Sequence, residues 1–239
     1  MDTIVSGSVK ESRDSQDCWT TENLEVKLPS PWFYRIPNSC LPEPIKSGRL
    51  EYVSCGENAS VFLIHKNDEC KYAVKIIHDG TDINFPAKEE VNVSLLMSDH
   101  NIGPKIFLFG ECQGECGDGS SWFKINFHFI IMERMQTTLL SYMSELDLLK
   151  NGKIDETKIQ SYEENIETII NTAVDLARSI WKLGYKSSDV HGGNLMFDLE
   201  HGKPLRVRWI DFETMVRVKE PMTKRDEEYI IDLLRNPPF

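Results

Sequence analysis

The chain has 239 residues, 40% of them apolar and 27% charged, a globular composition with room for one substantial core or for a two-lobed domain. Its formal net charge of −11 argues against a general binder of nucleic acid or anionic membrane, because either partner demands a positive surface. No apolar run long enough to span a bilayer occurs, and MDTIVSGSVKESRDSQD lacks the apolar stretch of a signal peptide, so no membrane association is expected.

Residues 1–47 are polar, with Ser, Pro and charge interspersed and little periodicity, which predicts an N-terminal arm, flexible or docked. Trp32, Phe33 and Tyr34 are the exception and are expected to anchor it on the domain behind. From Leu50 the character changes. RLEYVSCGENASVFLIHK and ECKYAVKIIHD predict three strands, punctuated by Gly56-Glu57-Asn58 and Asn67-Asp68. PAKEEVNVSLLMSD, residues 86–99, fits a helix opened by Pro86, with Val91, Leu95 and Met97 or Leu96 available for a buried side. IGPKIFLFGE and SWFKINFHFIIMERM then predict two more strands joined by a Gly-rich loop.

After Met135 the period lengthens. TTLLSYMSELDLLKN is one candidate helix. In the next, Ile159, Tyr162, Ile166, Ile169, Ile170, Ala173, Val174, Ala177, Ile180 and Trp181 recur at three- and four-residue steps, ending at Leu183-Gly184. KSSDVHGGNLMFD comes next as a Gly-rich turn, and LRVRWIDFET as a short strand carrying Asp211. The six cysteines, Cys18, Cys40, Cys55, Cys70, Cys112 and Cys116, are scattered through a chain too large to need a disulfide framework. They read as mostly reduced thiols of a cytoplasmic or nuclear protein. Cys112 and Cys116 lack the second ligand pair that structural zinc requires.

Taken singly, each polar residue in this order has a bland explanation. Lys75 in YAVKII is a strand lysine whose stem lies along the sheet, and a D-x-x-x-x-N spacing such as Asp189 to Asn194 arises by chance. Together and in this sequence the motifs resemble the protein-kinase-like superfamily over roughly residues 50 to 215. The resemblance implies an α+β, two-lobed protein-kinase-like fold: a β-rich N-lobe with one main helix over 48–135, and a reduced helical C-lobe over 136–239.

It also implies roles. Lys75 pairs with the α- and β-phosphates of ATP and is held by Glu90 on the following helix, with Glu89 the alternate. CGENASVF, with Gly56 and Val61, covers the phosphates, although Asn58 and Ser60 stand where protein kinases usually carry further glycines. Met132 in IIMERM borders the adenine pocket, and the backbone of Glu133 and Met135 hydrogen-bonds the base. Asp189 is the base for the acceptor hydroxyl, while Asn194 and Asp211, in IDFE, give hard oxygen ligands to Mg2+. Asp198 competes for the metal role but lacks the strand-then-Phe context of Asp211.

Ser187 and Ser188 stand where the family's His and Arg precede the catalytic Asp. Without that Arg, docking of a phosphorylated activation loop is not expected to be required. VHGGN and Glu213 resemble choline- and aminoglycoside-kinase-like enzymes, whereas only 28 residues follow Asp211. That brevity resembles compact atypical kinases of the RIO and Bud type, and virus- or pathogen-encoded kinase-like proteins. The expected function is an ATP- and Mg2+-dependent protein Ser/Thr kinase with a protein substrate. The alternatives are a pseudokinase serving as a protein-interaction scaffold or decoy, and a small-molecule kinase.

Overall fold

A computed structural model describes residues 23–27, 33–55, 59–66, 69–78, 87–152 and 156–236. The fold is α+β and divides into two compact units. One comprises Met1–Asn92 with Ile106–Arg134, the other Val93–Lys105 with Met135–Phe239. Among the described residues no helix is long and apolar enough to cross a membrane. Trp32, Gly56-Glu57-Asn58, Asn67-Asp68 and Pro86, singled out above, lie outside the described residues, as do 1–22 of the arm.

The first unit is built on a seven-stranded sheet. Its strands are β1 (Asn23–Lys27), β2 (Phe33–Pro37), β3 (Arg49–Cys55), β4 (Ala59–Lys66), β5 (Glu69–His78), β6 (Ile106–Gly117) and β7 (Trp122–Glu133), ordered β1-β2-β6-β7-β5-β4-β3. Every neighbouring pair is antiparallel. Alternation of side chains sorts the strands into two faces. Phe62, Ile64, Val74, Ile76, Phe127, Phe129 and Ile131 share one face and are buried.

That face is covered by the segment expected to be an arm. Ile36 on β2, Leu41, and Ile45 on the short helix α1 (Glu43–Lys46) are each at most 3% exposed and belong to the same core. Tyr34 is 2% exposed and packs edge-on against Phe127 and His78, so residues 33–46 are part of the domain. Of the cysteines read as mostly reduced thiols, Cys40 and Cys112 instead form a disulfide, with Cα atoms 5.8 Å apart. β2 runs antiparallel to β6 with Arg35 opposite Glu115, and the 3-10 turn Asn38–Cys40 that follows it places Cys40 beside Cys112. Cys70 and Cys116 are free thiols, and burial pushes the Cys116 thiol up.

The helix α2 (Ala87–Asp99) contributes its first turns to the first unit and the rest to the second. The remaining elements of the second unit are β8 (Thr137–Thr138), α3 (Leu139–Asn151), α4 (Glu156–Lys182), β9 (Tyr185–Ser187), β10 (Leu195–Glu200), β11 (Lys203–Trp209), β12 (Met215–Arg217) and α5 (Lys224–Arg235). Thr138 caps α3 by accepting the Ser141 N–H, so the predicted TTLLSYMS helix starts one residue after it.

Ile166, Ile169, Ile170, Ala173, Val174, Ala177 and Ile180 of α4 are buried, as the three- and four-residue steps predict. Against them pack Tyr142, Phe197, Trp209 and Phe212. Trp209 is buried and its indole N–H donates to Ala173 O at 3.2 Å, which satisfies a polar group that would otherwise be costly to bury. Gly184 ends α4 with φ +82°, a left-handed conformation that a Cβ would penalise. The chain can therefore reverse at once into β9 and the polar loop beyond it.

Candidate active site

Lys75 lies on β5 between Val61 of β4 and Ile130 of β7, on the face opposite Val74 and Ile76. Ala73, two residues back on the same face, is the cross-strand partner of Met132, and Tyr72 of Glu133. Val61, Ala73, Lys75, Ile130 and Met132 thus share one side of the sheet. The Lys75 Nζ is 2.5 Å from Glu90 Oε1, and the two side chains are only 12% and 5% exposed. Glu90 sits in the first turn of α2, where the helix dipole favours a carboxylate. Glu89, the alternate, is exposed. Burying an ion pair costs several kcal/mol per ion in desolvation, so packing alone does not account for it.

In the second unit, the residues between β9 and β10 form a tight polar loop. Both hydrogen bonds donated by the Asn194 side chain go to Asp189, one to Oδ2 at 3.0 Å and one to its backbone O at 3.1 Å. The amide is thereby fixed, and its Oδ1 has no donor among the described residues. Asn194 is buried, whereas the Asp189 side chain is 51% exposed. The loop is closed by Asn194 N–H donating to His191 O at 3.0 Å and by Gly193 N–H donating to His191 Nδ1 at 3.1 Å. Ile210 N–H donates to Asn194 O at 2.9 Å, which brings Asp211 and Asn194 to neighbouring positions.

Asp211 does not lie on a strand as expected: β11 ends at Trp209, and Asp211 takes φ +61°. This left-handed conformation is one that Asp tolerates better than most residues. Phe212, next in sequence, is buried against Met97 and Gly103. A Cβ added at Gly103 would lie 2.9 Å from Phe212 Cε2, so glycine there permits the ring's position. Trp209 N–H also donates to Ile102 O at 2.9 Å, fixing the end of β11 to the segment after α2.

Asp198, the competing metal candidate, is removed from that role. It is buried within the β10–β11 hairpin, 2.5 Å from Arg206 Nη2, and accepts the Gln136 N–H at 3.1 Å. Ser188, noted above only as a replacement for Arg, makes its own clamp. Its N–H and Oγ–H both donate to Thr214 O, at 3.3 and 2.9 Å. The chain after Asp211 then pairs as β12 with β9, Met215 opposite Ser187 and Arg217 opposite Tyr185. Nothing in a single serine signals such a clamp in advance.

The predicted site residues therefore fall into two groups. Val61, Lys75, Glu90, Met132 and Glu133 belong to the first unit, and Met135, Asp189, Asn194 and Asp211 to the second. Gly56 lies outside the described residues. Among the described residues no group of three or more His, Cys, Asp or Glu side chains is placed to hold a metal ion. A magnesium ion carried on phosphates needs fewer, because it keeps waters and takes one or two protein oxygens. No protein-family model matches the chain, and no curated protein matches it in sequence.

Proposed function

We propose that the chain is an ATP-dependent phosphotransferase with a protein-kinase-like two-lobed fold, acting on serine or threonine hydroxyls of a protein. The observation that carries this reading is the buried Lys75–Glu90 pair. An ammonium fixed at 2.5 Å by a carboxylate is a cation held ready for a phosphate, and it is expensive for stability alone. The Asp189–Asn194 bond supports the same reading, because it orients one carboxylate and one amide oxygen together.

When bound, the magnesium nucleotide supplies the phosphoryl group and the neutralisation of its charge. Lys75 would hold the α- and β-phosphates, and Glu90 would keep its ammonium from wandering. The Oδ1 of Asn194 and the carboxylate of Asp211 are the hard oxygens that fit the metal. Asp189 receives the proton of the acceptor hydroxyl as that oxygen attacks. Ser188 holds Thr214, and through it the segment after Asp211, without a phosphorylated side chain.

A second reading, a protein-interaction scaffold, is favoured by exposed aromatic side chains on β6 and β7 of the first unit. Among the described residues β2 pairs with β6 at Glu115, Cys116 and Gly117, and Phe107, Phe109 and Phe123 are 49%, 54% and 61% exposed. Nucleotide binding separates the two. Mg-ATP at a hundredfold excess over its Kd stabilises a binder by about 2.7 kcal/mol. A rise in melting temperature with wild type that is lost in Lys75→Met supports the phosphotransferase. No shift, together with no phosphoryl transfer, leaves the scaffold.

A further inference from the structure

We infer that His191 is a positioning residue that selects which oxygen of Asp189 faces the acceptor, an inference that rests on the phosphotransferase reading. His191 Nδ1 accepts the Gly193 N–H at 3.1 Å, so in the neutral ring the proton sits on Nε2. That Nε2 lies 3.4 Å from Asp189 Oδ2, the same oxygen that accepts from Asn194 Nδ2 at 3.0 Å. Oδ2 thus accepts one hydrogen bond, from Asn194, and has the imidazole nitrogen of His191 beside it at ion-pair distance. Oδ1 has no partner among the described residues, and the side chain is 51% exposed.

A carboxylate turned by one donor alone still rotates about its terminal bond, a broad and soft torsion. The His191 nitrogen beside the same oxygen narrows that rotation by proximity and electrostatics. Oδ1 is then the oxygen that takes the proton of the acceptor hydroxyl, while the new O–P bond forms and the bond from the γ-phosphorus to the departing nucleoside diphosphate breaks. His191 neither gives nor takes a proton in this step. It acts through Asp189.

The imidazole carries two separable roles, and amide side chains divide them. In His191→Asn the side-chain oxygen occupies the Nδ1 position and still accepts the Gly193 N–H, but nothing reaches Asp189. In His191→Gln the longer amide brings an N–H to the Nε2 position. The test is γ-phosphoryl transfer from Mg-ATP to casein, with kcat and the KM for ATP measured for the wild type and both variants, and melting temperatures alongside. The expected result is a loss of about tenfold in kcat for His191→Asn, at unchanged KM and melting temperature, with His191→Gln close to wild type. A His191→Asn variant as fast as wild type assigns His191 to the turn alone and overturns the inference. Absence of transfer by the wild type overturns the phosphotransferase reading instead, so the two failures are distinct.

Discussion

Replacing Glu90 with Leu separates stability from chemistry at the Lys75–Glu90 pair. The single change leaves an ammonium that is 12% exposed without the carboxylate 2.5 Å away. Removing one partner of a buried pair costs about 3–5 kcal/mol, and the residual exposure of Lys75 places this case near the lower end. At about 2–4 °C per kcal/mol for a chain of this size, 3 kcal/mol lowers the melting temperature by roughly 6–12 °C. The double variant Lys75→Met/Glu90→Leu removes both charges and keeps the volume, and such replacements are commonly neutral or stabilising by about 1–4 kcal/mol. It should therefore recover the melting temperature while transferring no phosphoryl group from Mg-ATP. Calorimetry and a transfer assay on the same preparations read both quantities. A double variant that regains stability and still transfers phosphate would refute the role given to Lys75.

Gly103→Ala should destabilise by about 1–3 kcal/mol, because its Cβ would meet the Phe212 ring at 2.9 Å. Since Phe212 follows Asp211, the same variant should lose more activity than its melting temperature explains. The helix α5 carries an acid-sensitive contribution. Arg178 holds the Glu227 carboxyl below its usual range through bonds of 2.6 and 2.8 Å, and the Thr223 hydroxyl and N–H do the same for Asp226. Folded values below unfolded ones mean that this stabilisation is complete above the ordinary carboxylate values of about 4 and is lost as pH falls through the lower folded values. Arg178→Met should thus lower the melting temperature at pH 7 and have little effect in strong acid, as a melting series against pH would show. Reducing the Cys40–Cys112 bond, which closes 72 residues of chain, should cost about 2–4 kcal/mol, read as a shift of the urea midpoint on adding dithiothreitol.

Local periodicity carries the elements whose partners lie close in sequence. The ten apolar positions read along α4 are legible because each step of three or four residues keeps one side facing the core. YAVKII is legible because β-branched residues alternate across the pleat of β5. The segment 33–46 is not. Its strand FYRIP is short, prolines break the pattern between Pro37 and Pro44, and its pairing reaches β6 across 80 residues, as Arg35 and Glu115 illustrate. The pairing of Cys40 with Cys112 is hidden for the same reason. Within the candidate site, the sequence offers Lys75, Glu90, Asp189, Asn194 and Asp211 by motif. It cannot offer the backbone turn at Asp211, the clamp from Ser188 to Thr214, or the convergence of His191 and Asn194 on one carboxylate oxygen. These depend on distances set by the β9–β12 and β10–β11 pairings.

The most direct test is transfer of labelled γ-phosphate from Mg-ATP, by the wild type and by Asp211→Asn, to casein and to the proteins of a cell extract. Labelled serine and threonine with the wild type, and a loss of at least about a hundredfold with Asp211→Asn, are the predicted results. Label that persists unchanged in Asp211→Asn, or no label with either protein, would contradict the account.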